Sequence, residues 1–380
     1  MISQAEPVIV IGAGGAGLAA ADALGRRGIP AIVLEKEHRI AEPWRRRHQR
    51  LSLNTHRDLS FLPGARYPAG TPAFPAKAAV IAYLERFAAA RSITIEFGTS
   101  VERIERADGR WQLHTDRGIR RTAHAIVATG RDRVPWMPDW PGMESFGGRL
   151  VHAADFGKAE DYGGMKVLVV GAGNSGFDVL NHLSRNSDET RAGKIWLSAR
   201  HGPALLPKRI GNIAVQRFAT VTERLPVGLA DAAIAAVQRL SFGDLARSGL
   251  PPAARGAASR LAAENIAIAT DDGAMKAIAA GLIEVVPPVA RFAGQDVMLT
   301  DGRAIAPDVV IAATGYRSGL EEMVGALGVL DHKGTPKATG GEPTGQPGLW
   351  FMGMRASLIG DFPSAARQSR AIAARIAAGD

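Results

Sequence analysis

Two glycine-rich fingerprints constrain this chain of 380 residues more than any other feature. Each follows a short apolar run: residues 8–11 precede the loop 12–17, and residues 167–170 precede the loop 171–176. In a G-x-G-x-x-G turn, the first glycine makes the turn, the second admits a pyrophosphate and the third lets helix pack on strand. The helix N-terminus then attracts the phosphates. We therefore expect two bound dinucleotides, and a protein that holds two typically moves electrons between them.

Residues of both loops are candidates for binding the cofactors, mainly through their backbone N–H groups. The loop residues assigned to the cofactors are Gly12, Gly14, Gly17, Gly171, Gly173, Asn174, Ser175 and Gly176.

Opposite charges follow the two loops and distinguish the dinucleotides. After the second strand of such a fold, an acid binds free ribose hydroxyls, whereas an arginine accommodates a 2′-phosphate. Glu35 holds this place in the first half, which predicts FAD or NAD there. Arg200 and His201 hold it in the second half, which predicts NADPH with Arg200 paired to the phosphate. The alternative is that Glu35 and Arg200 are only exposed charges at strand ends.

The order of apolar runs predicts an α/β fold with two Rossmann-like, dinucleotide-binding domains. A strand ending in Ala-Thr-Gly occurs twice, at residues 128–130 and 313–315, as a weak internal repeat. We expect the NADPH domain to be inserted in the FAD domain. The predicted boundaries are 1–157 and 286–380 for the FAD domain, and 158–285 for the NADPH domain with a helical insertion.

Three stretches lie outside the repeated pattern. Residues 40–75 are predicted to form a long ordered loop, residues 134–164 a linker, and the region from about 364 to 378 a C-terminal helix. Residues 211–280 are Ala-rich and predicted to be helical. Their apolar stripe could pack on the core, line the substrate route or meet a second subunit. The stripe consists of Leu225, Leu229, Ala233, Ala236 and Leu240.

Composition excludes some classes of function. The chain has no cysteine, so dithiol–disulfide chemistry is excluded. The net charge is +9, and the basic residues form one dense cluster, at residues 44–50. We attribute this excess of positive charge to the binding of anionic ligands and to a solvated surface, not to the binding of nucleic acid. No apolar run reaches the ~20 residues of a membrane span. The first six residues lack the basic region of a signal peptide, which predicts a cytoplasmic location.

Residues 146–156 carry the resemblance to a family. Their sequence fits F-x-G-x-x-x-H-x-x-x-[FY], from Phe146 through His152 to Phe156, between the two glycine loops. This motif resembles that of flavin-containing monooxygenases. Further stretches, at 50–54, 62–64, 83–87, 198–200, 206–208, 313–316 and 348–351, are similar to YUCCA-type enzymes and bacterial relatives. The resemblance covers nearly the whole chain.

The resemblance implies that the first loop and Glu35 bind FAD and that the second loop binds NADPH. It places Asn54 beside the flavin as a catalytic residue that positions the nicotinamide or the oxygen adduct; the alternative is a turn residue. It gives His152 a role in coupling the domains. His48 is interpreted as a loop or cofactor-packing residue. The other residues to which it assigns cofactor contacts are Trp44, Arg45, Leu51, Val101, Thr129, Gly130, Thr314 and Gly315.

The implied reaction is monooxygenation: NADPH reduces FAD, reduced flavin and O₂ form a hydroperoxide, and one oxygen atom passes to a small organic substrate. An amine, a sulfide, an indole-type acid and a ketone all remain candidates. No metal cluster is evident in the sequence, and a homodimer is an open expectation. Two alternatives are a flavin-dependent NADPH oxidase or reductase, which passes electrons to oxygen or a redox partner, and a non-catalytic dinucleotide-binding regulator.

Overall fold

The computed structural model describes residues 6–185 and 191–380, which divide by their internal contacts into two units. The first unit takes the described parts of Met1–Arg45, Thr55–Val134 and Tyr316–Asp380, and the second those of Arg46–Asn54 and Pro135–Gly315. Along the chain, the second unit interrupts the first, as expected of an inserted domain. The N-terminal residues used for the leader prediction, 1–5, and residues 186–190 of the second predicted β-α-β segment lie outside the described residues.

The expected domain boundaries at 157/158 and 285/286 remain a prediction about the cofactor domains. Contacts assign residues 135–157 and 286–315 to the second unit.

A five-stranded parallel sheet forms the centre of the first unit. Its central strand is apolar throughout and fully buried, as is usual where both faces of a parallel sheet are covered. In sheet order the strands are Leu349–Phe351, Ala125–Val127, Val8–Ile11, Ala31–Glu35 and Ile95–Phe97. The carboxyl ends of the central strands meet at one edge, so the first glycine loop and Glu35 emerge together.

The helices of the first unit are Gly15–Gly25, Glu42–Arg45, Lys77–Ala90, Glu321–Val324 and Asp361–Ala378. The last of these packs on the first, and a Cβ added at Gly15 would lie 3.1 Å from the Phe362 ring. We expected the last helix to start at residue 364, but it starts at Asp361 with Gly360 as its N-cap. Pro363 then lies in the first turn, where its missing N–H costs nothing.

An antiparallel three-stranded sheet completes the first unit, with the strands Val101–Ala107, Arg110–Thr115 and Gly118–Thr122. Its buried Trp111 packs in a core with Leu113 and Phe351, and the indole Nε1 donates to the Pro347 carbonyl at 3.0 Å. Residues 40–75 contain little regular structure, as predicted: one short helix, Glu42–Arg45, and a 3₁₀ turn, Arg57–Leu59.

The second unit repeats the plan with its own five-stranded parallel sheet. In sheet order the strands are Ile283–Val286, Lys194–Ser198, Lys166–Val170, Val309–Ala312 and Arg149–His152. A three-stranded antiparallel sheet follows, with the strands Val289–Ala293, Asp296–Leu299 and Ala304–Ile305. The α/β class with two Rossmann-like domains is confirmed.

The prediction of a linker at residues 134–164 is wrong in one respect. Arg149–His152 is an edge strand of the second sheet, parallel to Val309–Ala312. Only this long-range partner, which is about 160 residues away in sequence, makes the segment a strand. A weakly apolar stretch of this length therefore carried too little local signal.

Residues 211–280 are partly helical, as expected, with the helices Gln216–Thr222, Val227–Phe242, Ala257–Glu264 and Ala274–Ala279. The expectation that the apolar stripe packs on the core is wrong. Leu229 and Leu240 are exposed, and Ala230 and Ile234 form the buried face of the helix instead. The remaining helix of this unit is Asn174–Arg185, and short paired strands occur at Leu205–Pro207 with Ala269–Asp271 and at Arg209–Ile210 with Ile213–Ala214. Among the described residues, we find no helix with the length and apolarity to cross a membrane.

Candidate active site

The first glycine loop has the shape that a bound pyrophosphate requires. Gly12 has φ +103°, which favours glycine, and it turns the chain from strand Val8–Ile11 toward helix Gly15–Gly25. A Cβ at Gly17 would collide with the Gly12 carbonyl oxygen, so helix and strand could not approach as they do. A Cβ at Gly14 would meet no protein atom within 4 Å. The protein leaves open space where the fold places the phosphates.

Glu35 lies beside this loop at the end of its strand. One carboxylate oxygen accepts a hydrogen bond from the Ala13 N–H at 2.6 Å, and the other from the Glu37 N–H at 3.0 Å. The neighbouring parallel strands bring Glu35 and the loop to the same edge of the sheet. These bonds hold the carboxylate next to the phosphate cradle, where an adenosine ribose could reach it.

Thr129 and Gly130 border the same cradle. They follow strand Ala125–Val127, and the Ala128 carbonyl oxygen would lie 2.9 Å from a Cβ at Gly12. The Thr129 hydroxyl is buried and makes no hydrogen bond within the protein. A buried hydroxyl without a partner is costly, and a bound nucleotide could satisfy it. Together with the open space at Gly14, this orphaned group fits FAD in the first unit.

The remaining candidates of the first unit have varied surroundings. Arg45 forms an ion pair with Glu85 and donates to the Ile40 carbonyl at 3.2 Å, so its guanidinium is fixed by the protein. Trp44 lies on the same short helix, Glu42–Arg45. Val101 is the buried first residue of its strand, which leaves its backbone as the group that could meet an adenine.

The second loop repeats the geometry of the first. Gly171 has φ +117°, a Cβ at Gly176 would collide with the Gly171 carbonyl, and a Cβ at Gly173 would meet no protein atom within 4 Å. Ala313 lies against Gly171 as Ala128 lies against Gly12. The sequence repeat therefore corresponds to a repeated phosphate cradle, and the helix beginning at Asn174 adds its N-terminal dipole.

Arg200 and His201 follow strand Lys194–Ser198, the strand that neighbours the loop-bearing strand in the second sheet. Both side chains are exposed. The Gly171 N–H donates to the Ser198 carbonyl as the Gly12 N–H donates to that of Leu34, so Ala199 takes the place of Glu35. Arg200 and His201 follow directly, and the edge of the sheet therefore carries a cation where a 2′-phosphate could be bound.

Asn174 is engaged by its own chain. Its amide nitrogen donates to the Ile268 carbonyl at 2.9 Å, and its oxygen accepts from the Thr270 N–H at 3.1 Å. The same oxygen accepts from the side-chain amide of Asn54 at 3.2 Å. The structure thus brings two predicted residues together, through a bond that sequence reasoning did not foresee. Leu51 lies on the same short segment, Arg46–Asn54, of the second unit.

Thr314 and Gly315 continue from strand Val309–Ala312 past the second loop. The Thr314 hydroxyl donates to the Trp136 carbonyl at 2.5 Å, so this side chain links the end of strand Val309–Ala312 to the segment around Trp136. The Gly315 carbonyl accepts from the Trp136 N–H at 3.0 Å and from His152 Nε2 at 3.0 Å. Ser175 lies in the first turn of helix Asn174–Arg185.

His152 has both ring nitrogens engaged. Nε2 donates to the Gly315 carbonyl, and Nδ1 accepts from the Ala154 N–H at 3.0 Å. Burial lowers the pKa of its imidazole, which favours the neutral form that these two bonds require. This arrangement suits a structural role of the motif histidine better than proton transfer.

Asp178 and His182 were not among the predicted site residues. They lie one helical turn apart on helix Asn174–Arg185, and His48 contacts both. A D-x-x-x-H spacing on a predicted helix was the signal in the sequence, but the third member comes from a segment 130 residues away. No local pattern could have joined them.

Two loops have the geometry of a phosphate cradle; the first is followed by the acidic Glu35 and the second by the basic Arg200. This arrangement defines a flavoprotein oxidoreductase with two nucleotide sites. A profile of the pyridine nucleotide-disulphide oxidoreductase family matches residues 9–194. Indole-3-pyruvate monooxygenase YUCCA1 of Oryza sativa subsp. japonica is 34% identical over 327 residues, covering 85% of this chain and 79% of the relative. Probable indole-3-pyruvate monooxygenase YUCCA3 of Arabidopsis thaliana is 34% identical over 346 residues, 87% and 77% of the two chains.

Among solved structures, the flavin-containing monooxygenase from Stenotrophomonas maltophilia is similar in fold, with a TM-score of 0.74 at 24% identity. The match covers 98% of this chain and 99% of that one. This chain belongs to the flavin-containing monooxygenase family, and it is similar to the YUCCA-type members. It is an NADPH-dependent flavoprotein monooxygenase that uses FAD and O₂ to oxygenate a small molecule.

Proposed function

We propose that the substrate is an indole-type 2-oxo acid such as indole-3-pyruvate. The observation that carries this proposal is the similarity to relatives named for that substrate, at up to 34% identity over most of the chain. The other candidate substrates, an amine, a sulfide and a ketone, have no comparable support. A cytoplasmic location and a homodimer are kept as proposals from the sequence.

The residues of the first unit would hold FAD. Gly12, Gly14 and Gly17 shape the cradle for its pyrophosphate, Glu35 would accept hydrogen bonds from the ribose, and Thr129 would gain a partner for its hydroxyl. Trp44, Arg45, Val101 and Gly130 are proposed as further contacts. When bound, FAD supplies the redox chemistry by which electrons from NADPH activate oxygen.

The residues of the second unit would hold NADPH. The second loop presents backbone N–H groups and a helix N-terminus to the pyrophosphate, and Arg200 with His201 would bind the 2′-phosphate. The remaining proposed contacts are Leu51, Ser175, Thr314 and Gly315. Asn174 supports the site indirectly, by fixing the loop to Ile268 and Thr270.

Asn54 is the proposed catalytic residue. The bond from the Thr270 N–H identifies the atom of Asn174 that faces Asn54 as its amide oxygen, which can only accept a hydrogen bond. The side-chain amide nitrogen of Asn54 is therefore the donor in the bond between the two asparagines. One further amide hydrogen and the carbonyl oxygen of Asn54 remain available for a ligand by valence. The amide is therefore oriented before any ligand binds, which is the condition for effective electrostatic help.

The substrate proposal is tested with FAD-loaded enzyme, NADPH and ¹⁸O₂. We expect indole-3-pyruvate to accelerate NADPH oxidation and one labelled oxygen atom to enter the product. A tertiary amine, a dialkyl sulfide and a cyclic ketone serve as the comparison substrates. Labelled product from one of these alone would replace the proposed substrate. Stoichiometric hydrogen peroxide with every compound would favour the oxidase alternative.

The role of Asn54 is tested by its replacement. Asn54→Ala should lower the coupling, that is the product formed per NADPH oxidised, while FAD content stays unchanged. Asn174→Ala should lower coupling less, because it frees the Asn54 amide without removing it. Unchanged coupling in Asn54→Ala would show that Asn54 has no catalytic role and serves only as a turn residue.

A further inference from the structure

A cluster of two histidines and one aspartate lies in the second unit, on and against the helix that follows the second glycine loop. His48 Nε2 is 2.7 Å from one Asp178 carboxylate oxygen, and His182 Nε2 is 3.5 Å from the other. The two imidazole rings meet edge to face with centroids 4.9 Å apart. One potential ligand atom from each residue lies within 4.8 Å of the others.

The cluster is built largely before any ligand arrives. Asp178 and His182 are four residues apart on helix Asn174–Arg185, so their side chains share one face. His48 comes from the segment Arg46–Asn54, its side chain is only 7% exposed, and its ring makes an edge contact with the buried Phe156. Burial raises the pKa of the Asp178 carboxyl, but hydrogen bonds from His182 and His48 outweigh it and hold that pKa well below its ordinary range. The carboxylate is therefore an anion held between two imidazoles.

This donor set is one that proteins use for divalent transition metals. Two imidazole nitrogens and one carboxylate oxygen suit Zn²⁺ and its neighbours, with bonds of about 2.0–2.2 Å. Ligands of one tetrahedral ion are then roughly 3.3–3.6 Å apart, so small side-chain rotations would complete the site.

Space for a further ligand adjoins the cluster. His48 and His182 line a cavity of about 440 Å³, together with residues 49–50 and 156–161. Its wall includes Glu160 and Asp161, and Glu160 is paired with Arg50. A three-ligand site that opens into a cavity matches the coordination of zinc with a water molecule in the fourth position.

We propose that His48, Asp178 and His182 form a binding site for a divalent transition-metal ion of the Zn²⁺ class, with a water from the cavity as fourth ligand. The ion would join the segment Arg46–Asn54 to helix Asn174–Arg185. The bond between Asn54 and Asn174 already joins the same two elements at the first residue of the helix, one turn before Asp178. Metal occupancy would thus fix the segment that carries Asn54 at two points.

The first test measures binding directly. FAD-loaded enzyme is treated with a chelator and dialysed against buffered ZnCl₂, and bound metal is counted by mass spectrometry. We expect one Zn²⁺ per chain and a Zn²⁺-dependent rise in the unfolding temperature. His48→Ala, His182→Ala and Asp178→Asn should each weaken binding at least about tenfold, since even outer-shell changes cost 10–100-fold.

His114→Ala is the matched control. His114 also pairs with a carboxylate, Glu105, at 2.6 Å, but no third ligand joins that pair in the described structure. This variant should bind zinc as the unchanged chain does. FAD absorbance checks that every variant keeps its flavin.

X-ray absorption of the zinc-loaded, unsubstituted enzyme keeps the proposal testable if a variant folds poorly. Two imidazoles in the zinc shell are expected, and a shell with fewer would overturn the proposal. So would the absence of binding, or equal binding by His48→Ala, His182→Ala and the unchanged chain.

Discussion

At the scale of single residues, the glycines of the two loops have two different roles, which substitution by alanine can distinguish. At Gly17 and Gly176 a Cβ meets a carbonyl oxygen of the protein, whereas at Gly14 and Gly173 it meets only open space. The first pair is required by the fold, and the second pair leaves open space in which we propose that the pyrophosphates bind.

We therefore expect Gly173→Ala to fold normally but to bind NADPH poorly, because its methyl group would occupy the pyrophosphate space. The Michaelis constant for NADPH should rise at least about tenfold, or 1.4 kcal/mol of binding. Gly176→Ala, the comparison variant, should instead lose soluble, folded protein. Normal NADPH kinetics in Gly173→Ala would show that the nucleotide does not bind at this loop.

Arg200 provides the test of cofactor identity. An arginine beside a 2′-phosphate makes charge-assisted hydrogen bonds that NADH cannot receive. Arg200→Ala should raise the Michaelis constant for NADPH roughly tenfold or more and leave that for NADH nearly unchanged, since charged hydrogen bonds contribute about 1.5–3 kcal/mol. Steady-state kinetics with both cofactors decide the matter. Equal effects on the two would make Arg200 an ordinary exposed charge.

At the scale of elements, helix Ala257–Glu264 depends on an acid from another helix. Its N-cap, Gly256, has no side chain, and Asp231 fills the place by accepting from the Ala258 N–H at 2.6 Å and the Ser259 N–H at 3.1 Å. A Cβ at Gly256 would collide with the Asp231 carboxylate. The glycine and the acid thus form one capping arrangement between helices Val227–Phe242 and Ala257–Glu264.

Asp231→Ala should lower the free energy of unfolding by about 1 kcal/mol at pH 7, the usual cost of a lost cap. Burial raises the pKa of the Asp231 carboxyl, but bonds from Ser259 and Ala258 outweigh it, so the pKa lies below its ordinary value. The stabilisation is therefore complete above the ordinary carboxyl pKa of about 3.9 and is lost as the pH falls below it. Denaturant titrations at several pH values measure this. Asp231→Asn should keep most of the cap; a pH-independent difference for Asp231→Ala would contradict the charge argument.

Elements with strong local signals could be predicted from the sequence. The buried strand Val8–Ile11 and the loop after it carry their apolar run and glycines in order, and so do their counterparts in the second unit. The edge strand Arg149–His152 could not be predicted, because its partner is far away in sequence. The same holds within the candidate site, where Asn54 and Asn174 were each identified but their hydrogen bond was not.

At the scale of the whole molecule, the two cofactors should protect different parts of the chain from hydrogen exchange. A ligand that binds only the native state stabilises it, by about 2.7 kcal/mol at 100 times its Kd. Removal of FAD should speed exchange around residues 12–25, and NADP⁺ added to the FAD-loaded enzyme should slow it around residues 171–185. Mass spectrometry of peptides resolves these regions. Protection of the first loop by NADP⁺ would reverse the assignment of the cofactors.

The packing of helix Asp361–Ala378 on helix Gly15–Gly25 has a consequence for how the chain is made. The ribosome makes the first glycine loop long before it makes the helix that packs on the loop's own helix. Until Asp361–Ala378 has been made, the nascent chain carries the first loop without this support. We therefore expect flavin to be retained only after that helix has formed, and a chain truncated before Asp361 to lose the cofactor.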